Sequence, residues 1–223
     1  MIFFDINGTL FNREHADRLA TIDFYKEYSN ELEMSRTEFT DLWYRSYTSY
    51  LKNNVVKDLS FQKYKIKEMK EFFGYHLTDQ EAESRFDNLL KCYDKHCNTF
   101  DDVVPCLDRL KQRQFRLGII SNGHYIKEVR KLKLLGIHHY FDYIVTASEV
   151  GIAKPNPEIF LKACHQANVN PQETYYIGDE LVADVIASKK CGMNGIWINR
   201  NKSMSYNMFT EIHSLSELDN LIK

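Results

Sequence analysis

Carboxylates, hydroxyls, amides and a lysine occur in four short segments, each of which follows a short apolar run. The chemically capable residues in these segments are Asp5, Asn7, Thr9, Ser121, Asn122, Gly123, Lys154, Asp179 and Asp184. Converging carboxylates repel one another unless a cation lies between them, and hard oxygen ligands suit Mg²⁺. A serine hydroxyl, backbone N–H groups at a helix start and a lysine charge suit a phosphoryl group. We therefore predict a site for Mg²⁺ and phosphate, provided that the fold brings the four segments together.

Asp5 is the candidate nucleophile of such a site. A carboxylate can attack phosphorus to form an aspartyl phosphate, while Mg²⁺ and Lys154 neutralise the charges involved. The sequence G-x-x-x-x-G-K-[ST] does not occur in the chain. The phosphate is therefore not expected to be held by a nucleoside-triphosphatase loop.

The apolar runs alternate with helical patterns along most of the chain. The runs occupy residues 2–6, 116–121, 143–147, 174–177 and 195–199, and helical patterns occupy 103–113, 125–135, 157–168 and 181–190. Strands that alternate with helices predict an α/β fold with a doubly wound parallel sheet. In such a sheet, ligands bind outside the carboxyl ends of the strands, which is where the four segments fall.

Residues 14–98 differ from the rest of the chain, because they contain one glycine, Gly74, and no proline. This composition predicts a bundle of at least four helices. Ser35 with Glu38, and Thr78 with Glu81, have the capping-box spacing that begins a helix. One helical face carries Phe39, Trp43, Tyr47 and Tyr50. We interpret this face as the bundle interior; alternatively, one or two of these rings lie over the metal and stack on a base or sugar.

The four segments resemble the four motifs of the haloacid dehalogenase superfamily. FFDINGTL resembles the first motif, IISNG the second, GIAKPNPEIF the third and YYIGDELVADVIASKKCG the fourth. The resemblance covers residues 1–13 and about 100–200. It implies a Rossmann-like catalytic core formed by residues 1–13 and 99–223, with an all-helical cap domain inserted at 14–98.

The resemblance also implies a role for each matching residue. Asp5 would be the nucleophile, and Asp184 would support the metal or Lys154. The implied Mg²⁺ ligands are Asp5, the backbone carbonyl of Asn7, Asp179 and Asp184. The residues implied to position phosphate and nucleophile are Thr9, Ser121, Asn122, Gly123 and Lys154. The motifs are most similar to those of nucleotidase-like and sugar-phosphatase-like members, so the expected substrate is a nucleoside monophosphate or a sugar phosphate.

Asn7 departs from the phosphatase pattern, in which an aspartate two residues after the nucleophile is the general acid and base. An amide cannot protonate the leaving oxygen or activate water. A positioned acid or base contributes about 10² to 10⁴ in rate, which is roughly 3 to 5 kcal/mol of barrier. We therefore expect slow turnover and an aspartyl phosphate that accumulates. The backbone carbonyl of Asn7 is unchanged, so Mg²⁺ binding should be retained.

Three interpretations of Asn7 remain open. It is a substitution introduced to trap a substrate, or it is natural in a protein that binds or senses a phosphate ligand after catalysis was lost. In the third interpretation, the chain is a dehalogenase-type hydrolase that attacks carbon without a metal. The third fits least, because dehalogenase members carry tyrosine at this position and the fourth motif, with Asp179 and Asp184, is of the metal-binding phosphatase type.

The overall composition excludes several other classes of protein. Lys and Arg number 29 against 31 Asp and Glu, a net charge of −2, so we expect no nucleic acid polymer as a partner. No apolar run approaches about 18 residues and no basic leader begins the chain, so we expect no membrane span. The five cysteines are odd in number and form no C-x-x-C pair, which favours reduced thiols in the cytoplasm. The expected partner is a small-molecule phosphate ester.

Overall fold

The computed structural model describes residues 1–53 and 59–222, and the side chains of these residues other than 47–53, 59–62 and 65. The chain divides into two compact units, one formed by Met1–Asn12 with Asn98–Lys223 and the other by Arg13–Cys97. These bounds lie one residue from the predicted core, 1–13 with 99–223, and the predicted insertion, 14–98. The role of the insertion as a cap stays a prediction.

The described part of the unit Arg13–Cys97 consists of helices and the turns that join them. Its helices are α1 (Arg13–Tyr28), α2 (Arg36–Asn53), α3 (Leu59–Phe72) and α4 (Asp79–Lys95). Both predicted capping boxes are present. The Ser35 backbone N–H donates to Glu38 Oε2 at 2.8 Å, and the Glu38 N–H donates to Ser35 Oγ at 3.3 Å. Thr78 and Glu81 make the same reciprocal pair at the start of α4, so each helix begins where its sequence offers partners for otherwise unpaired N–H groups.

Aromatic rings form the interior of this helical unit. Phe39 stacks on Phe24 with ring centroids 5.5 Å apart, and Trp43 packs against Phe86 at 5.6 Å. Phe39 and Trp43 are buried in this interior, as predicted. Tyr47 and Tyr50, predicted on the same face, lie outside the residues whose side chains the structure describes.

The other unit is built on a parallel sheet. Its strands are β1 (Ile2–Phe4), β2 (Leu117–Ser121), β3 (Tyr143–Thr146), β4 (Tyr175–Gly178), β5 (Asn194–Ile198) and β6 (Thr210–Ile212). Their order is β3-β2-β1-β4-β5-β6, and every neighbouring pair is parallel. The central strands β1 and β2 are buried at every residue, which is why they read as continuous apolar runs. The predicted doubly wound parallel sheet and its five predicted strands are confirmed.

Strand β6 was not predicted. It has three residues at the edge of the sheet, where Thr210 is exposed and only Ile212 is buried. A short edge strand has little area to bury and needs no apolar run. The sequence therefore carries almost no pattern that would identify it.

Helices cover the sheet. They are α5 (Val103–Gln112), α6 (Tyr125–Leu134), α7 (Ala147–Val150), α8 (Glu158–Ala167) and α9 (Ala187–Lys190), with a π-helical segment at Leu181–Ile186 before α9. Helix α8 illustrates the packing, because Phe160 on its buried face meets Tyr176 of β4 edge-on, with centroids 4.9 Å apart. This buried face positions the loop before α8, which contains Lys154.

The two chain segments that flank the helical insertion pair with each other. The Asn12 N–H donates to the Asn98 carbonyl at 3.2 Å, and the Phe100 N–H donates to the Leu10 carbonyl at 3.3 Å. Both segments belong to the sheet-containing unit. The chain therefore leaves this unit and returns to it at nearly the same place.

The five cysteines are all free thiols, and four of them are buried. This agrees with the reduced thiols expected from their number and spacing. None of the described helices has both the length and the apolar character needed to cross a membrane.

Candidate active site

The parallel sheet brings the predicted site residues to the edge formed by the carboxyl ends of its strands. Asp5 follows β1, Ser121 ends β2 and Asp179 follows β4. Strand β1 pairs with both β2 and β4, so the segments that follow these three strands lie side by side. The spatial convergence expected from parallel topology is therefore observed.

Lys154 lies at the buried centre of this edge. Its Nζ donates hydrogen bonds to Asp5 Oδ1 at 2.6 Å and to Asp184 Oδ1 at 2.7 Å. Lys154 and Asp5 are each 7% exposed and Asp184 is 1% exposed. Burial alone would lower the pKa of Lys154, but the charges of Asp184 and Asp5 outweigh it and hold that pKa well above its ordinary value. Lys154 therefore stays charged and holds the two aspartates together.

Asp184 supports Lys154 with both of its oxygens engaged. Its Oδ1 accepts from Lys154, and its Oδ2 accepts the backbone N–H of Glu180 at 3.0 Å. Asp184 is thus in direct contact with Lys154, and its roles toward Lys154 and toward a metal both stay predictions.

Asn122 fixes the backbone of Lys154. The Asn122 amide donates to the Lys154 carbonyl at 3.0 Å, and its Oδ1 accepts the Lys154 N–H at 2.6 Å. The neighbouring Gly123 N–H donates to Ser121 Oγ at 3.1 Å. The segment after β2 is thereby fastened to the loop that carries Lys154, although the two are 32 residues apart in sequence.

Tyr176 is a site residue that the sequence analysis missed. Its hydroxyl accepts from Lys154 Nζ at 2.9 Å and lies 3.0 Å from Asp184 Oδ1 and 3.2 Å from the Ile120 carbonyl oxygen, which share its proton. Burial and the charge of Asp184 raise its pKa well above the ordinary value. The hydroxyl is therefore a neutral hydrogen-bonding partner of the lysine. The sequence did offer one signal for this role, which is a residue with a polar hydroxyl inside an otherwise apolar strand, two positions before Gly178.

Asp5, Asp179 and Asp184 form an acidic cluster in which one carboxylate oxygen of each residue lies within 4.8 Å of one oxygen of each of the others. Burial, together with the charge of Asp184, raises the pKa of Asp5 to about 7 even though Lys154 opposes the shift. Burial and the charge of Asp5 raise the pKa of Asp179 to about 8. Three acidic groups thus share one lysine charge, and their all-oxygen donor set fits a hard divalent cation such as Mg²⁺.

The loop after β1 approaches this cluster very closely. Thr9 Oγ1 donates to Asp179 Oδ1 at 3.3 Å. Gly8 has a φ of +78°, and a Cβ added there would lie 2.1 Å from Asp179 Oδ2. Only glycine combines this backbone conformation with so short an approach. Gly8 therefore lets the segment containing Asp5 and Asn7 lie against Asp179.

Arg200, two residues after the end of β5, anchors the same loop. Its guanidinium donates to the Thr9 carbonyl at 3.2 and 2.7 Å, and it pairs with both carboxylate oxygens of Asp102 at 2.9 and 3.0 Å. Burial alone would raise the pKa of Asp102, but hydrogen bonds from Arg200, Ser214 and the Leu215 N–H hold it below its ordinary value. Asp102 is therefore a charged support for the loop. The sequence analysis did not identify this pair.

Asn7 contacts Lys131 of α6, which is paired with Glu128 of the same helix, and the sequence analysis missed both helix residues. Lys131 Nζ donates to Asn7 Oδ1 at 2.8 Å and to the two Glu128 oxygens at 3.3 and 3.1 Å. Glu128 is 4% exposed, and its carboxylate lies against the segment after β2, where a Cβ added to Gly123 would come within 1.9 Å of Oε1. The available signal was the three-residue spacing of Glu128 and Lys131, which places both on one helix face.

Known proteins of two chemistries resemble this chain. It is 40% identical over 103 residues to the glyceraldehyde 3-phosphate phosphatase of Methanopyrus kandleri, a match that covers 46% of this chain and 44% of that protein. The chain thus spans less than half the length of that curated relative. Among solved structures, a HAD phosphatase from Thermococcus onnurineus is 31% identical, with coverage of 99% and 96% and a TM-score of 0.69. A 2-haloacid dehalogenase from Pseudomonas syringae pv. Tomato DC3000 is 26% identical, with coverage of 99% and 96% and a TM-score of 0.68.

Overall likeness to these two structures does not choose between the two chemistries. The family described as haloacid dehalogenase-like hydrolase matches residues 2–198 of the chain. The four segments that converge at the sheet edge all fall within this match. The protein therefore belongs to the haloacid dehalogenase-like hydrolase family.

Proposed function

We propose that the chain is a Mg²⁺-dependent phosphohydrolase that works through an aspartyl phosphate on Asp5. The observation that supports this function best is the buried cluster of Asp5, Asp179 and Asp184 around a single lysine. A site that only needed to attack carbon would gain nothing from three mutually repelling carboxylates. A divalent cation would neutralise the repelling carboxylates, and it would also stabilise the charge of a bound phosphoryl group.

Asp5 is oriented for nucleophilic attack. Lys154 holds its Oδ1 at 2.6 Å, which leaves Oδ2 as the attacking atom. Oδ2 forms a bond to phosphorus as the bond from phosphorus to the leaving oxygen breaks, and the electron pair departs with that oxygen. Water then attacks phosphorus and loses a proton to solvent while the bond to Asp5 Oδ2 breaks, which releases phosphate and restores the carboxylate.

The remaining predicted residues are proposed to hold the cation and the phosphate. The residues proposed to hold Mg²⁺ are Asp5, the Asn7 carbonyl, Asp179 and Asp184. Bound Mg²⁺ would supply charge neutralisation for the carboxylates and the phosphoryl oxygens. The residues proposed to bind or position phosphate are Thr9, Ser121, Asn122, Gly123 and Lys154, with Lys154 also steadying the nucleophile.

The proposed substrate is a small phosphorylated metabolite, a nucleoside monophosphate or a sugar phosphate. The name of the Methanopyrus kandleri relative supports the sugar-phosphate class. Asn7 is proposed to slow both chemical steps, because its amide cannot give or take the proton that each step moves.

Asn7 also favours a second candidate, a phosphate-ligand binding or regulatory protein in which catalysis has been lost. The acidic cluster and Lys154 would then bind a phosphate compound without turning it over. The dehalogenase alternative has the Pseudomonas syringae structure in its favour, but it leaves the acidic cluster without a role.

Phosphate release from a panel of nucleotides and sugar phosphates tests these candidates. We would compare the chain with its Asn7→Asp variant, with and without Mg²⁺, and use Asp5→Asn as the inactive control. Restoring the acid and base should raise turnover by about 10² to 10⁴ in the presence of Mg²⁺ only. Silence from a folded Asn7→Asp variant that binds Mg²⁺ would favour the binding protein, and chloride release from a 2-chloro acid without Mg²⁺ would favour the dehalogenase.

A further inference from the structure

Trp197 is a buried tryptophan whose one polar atom reaches the catalytic edge. It lies one residue before the end of β5, opposite Gly178 in the pairing with β4, and only 6% of it is exposed. A buried indole N–H is costly without an acceptor. Here Nε1 donates to the backbone carbonyl of Asp179 at 2.8 Å. Trp197 therefore bonds directly to the main chain of a residue that is proposed to hold Mg²⁺.

The peptide group that joins Asp179 to Glu180 is held from both of its sides. This peptide is trans, so it is planar and its carbonyl and N–H point in opposite directions. The carbonyl accepts from Trp197, whereas the N–H, which belongs to Glu180, donates to Asp184 Oδ2 at 3.0 Å. Strand β5 and the π-helical segment therefore fix the orientation of one peptide plane between them.

Asp179 would have considerable backbone freedom without this peptide contact. It follows the last residue of β4, which is Gly178, and glycine restricts the backbone least. Glycine is required there, because a Cβ added to Gly178 would lie 2.3 Å from Asp184 Cγ. The Asp179 carboxylate also accepts from the Thr9 hydroxyl at 3.3 Å. The Trp197 hydrogen bond is the shorter of these two attachments, and it is the one that acts on the main chain of Asp179.

The indole is itself kept in place by the loop between β5 and β6. Tyr206 of this loop packs against the indole with ring centroids 6.1 Å apart. The buried Asn199 side chain fixes the start of the loop, since its Nδ2 donates to the Ser203 carbonyl at 3.1 Å and its Oδ1 accepts the Ser203 N–H at 3.0 Å. Trp197 is therefore a fixed donor, as a residue that orients another must be.

We propose that Trp197 is a positioning residue for the divalent-cation site, and that its indole N–H fixes the Asp179 peptide so that the Asp179 carboxylate stays beside Asp5. The proposal rests on the proposed function, because it takes Asp179 as a ligand of Mg²⁺. In this role Trp197 touches neither cation nor substrate and acts through Asp179. A partner that orients a metal-ligating residue contributes about 10- to 100-fold to metal affinity. Because Asp184 still holds the other side of the peptide, we expect a loss near the lower end of this range.

The first test measures Mg²⁺ affinity directly. The chain contains two tryptophans, Trp43 in the helical unit and Trp197 in the sheet-containing unit. Trp197→Phe keeps an aromatic ring but removes the N–H donor, and it should raise the Kd for Mg²⁺ by about 10-fold. Trp43→Phe makes the same chemical change in the other unit and should leave that Kd unchanged. Isothermal titration calorimetry at a temperature well below the Tm of the least stable protein measures all three proteins.

An isosteric replacement separates the hydrogen bond from packing. Benzothienylalanine has the shape of tryptophan but carries sulfur in place of the N–H, so it cannot donate. Its introduction at Trp197 should raise the Kd for Mg²⁺ by about the same factor as Trp197→Phe, while the Tm stays closer to that of the parent. If only Trp197→Phe weakens Mg²⁺ binding, the effect comes from lost ring volume and the positioning role of the N–H is refuted.

The second test follows the indole itself. In ¹⁵N-labelled protein the N–H signal of Trp197, identified by its loss in Trp197→Phe, should shift as Mg²⁺ binds, and Asp179→Asn should abolish this shift. A signal that does not move while calorimetry detects Mg²⁺ binding would contradict the link between the indole and Asp179.

The outcomes separate this proposal from the proposed function. If the parent binds Mg²⁺ and both folded Trp197 replacements bind it equally well, the positioning role is refuted and the Mg²⁺-dependent phosphohydrolase stands. If the parent does not bind Mg²⁺, both are overturned. The expected result is weaker Mg²⁺ binding in both Trp197 replacements and the affinity of the parent in Trp43→Phe.

Discussion

Replacement of Lys154 by methionine should destabilise the sheet-containing unit more than any exposed lysine replacement. The ammonium is the shared partner of Asp5 and Asp184, at 2.6 and 2.7 Å, and all three residues are buried. Methionine fills similar volume but leaves two carboxylates without their cation. The expected loss in the free energy of unfolding therefore comes from buried carboxylates without a cation and not from a cavity.

The expected magnitude follows from burial and geometry. Removing one partner of a buried ion pair costs about 3–5 kcal/mol in the free energy of unfolding. In a chain of this size that loss corresponds to a fall in Tm of about 6–20 °C, at roughly 2–4 °C for each kcal/mol. Adding Asp184→Asn should recover part of the loss, because the second variant removes one of the stranded carboxylates, with a coupling of about 1–3 kcal/mol.

The assay is urea unfolding followed by circular dichroism at pH 7 without metal, on the parent, the two single variants and the double variant. Lys133→Met is the matched control and should remain within about 0.5 kcal/mol of the parent. A Lys154→Met protein as stable as that control would show that the ammonium adds no net stability. Strict additivity of the two single changes would show that Lys154 and Asp184 are not energetically coupled.

Three further outcomes are expected. MgCl₂ should raise the Tm of the parent. Without Mg²⁺, Asp179→Asn should be at least as stable as the parent, because one repelling carboxylate is gone, and MgCl₂ should raise its Tm by less. Thermal unfolding across a Mg²⁺ titration measures both Tm changes. Gly8→Ala should cost at least about 1 kcal/mol and weaken Mg²⁺ binding, because its Cβ would lie 2.1 Å from Asp179 Oδ2; an unchanged Mg²⁺ titration would contradict this. Asp102→Asn should lose about 2 kcal/mol at pH 7. Because the folded pKa of Asp102 is depressed, its contribution is complete above the ordinary value of 3.8 and disappears as the pH falls through the lower folded pKa, so parent and variant should converge in acid unfolding.

The alternation of apolar runs and helical patterns was sufficient to predict the sheet and the edge at which the site forms. Residues that follow buried parallel strands, such as Asp5 and Asp179, were predictable because the topology itself delivers them. The functions assigned to them, including Mg²⁺ binding and nucleophilic attack, remain predictions. Edge strand β6 escaped because three residues with one buried side chain leave no periodic signal.

The supporting residues of the site were beyond the sequence for a different reason. Lys131 lies 124 residues from Asn7, and Arg200 lies 191 residues from Thr9. Such contacts depend on the register of helices and loops packed on the sheet, which local patterns do not encode. Tyr176 was missed for another reason. Its ring fits the apolar pattern of β4, so that pattern did not indicate that its hydroxyl contacts Lys154.

The paired segments on either side of residues 13–97 have a consequence for modular evolution. The hydrogen bonds from Asn12 to Asn98 and from Phe100 to Leu10 join the two flanks within the sheet-containing unit. The entropy of closing a loop grows only slowly with its length, by about 0.6 kcal/mol for each doubling. The stability of the sheet-containing unit should therefore depend little on how many residues are inserted here. A chain in which residues 13–97 are exchanged for a different helical module, or for a short flexible linker, should still bring Asp5, Lys154 and Asp184 together.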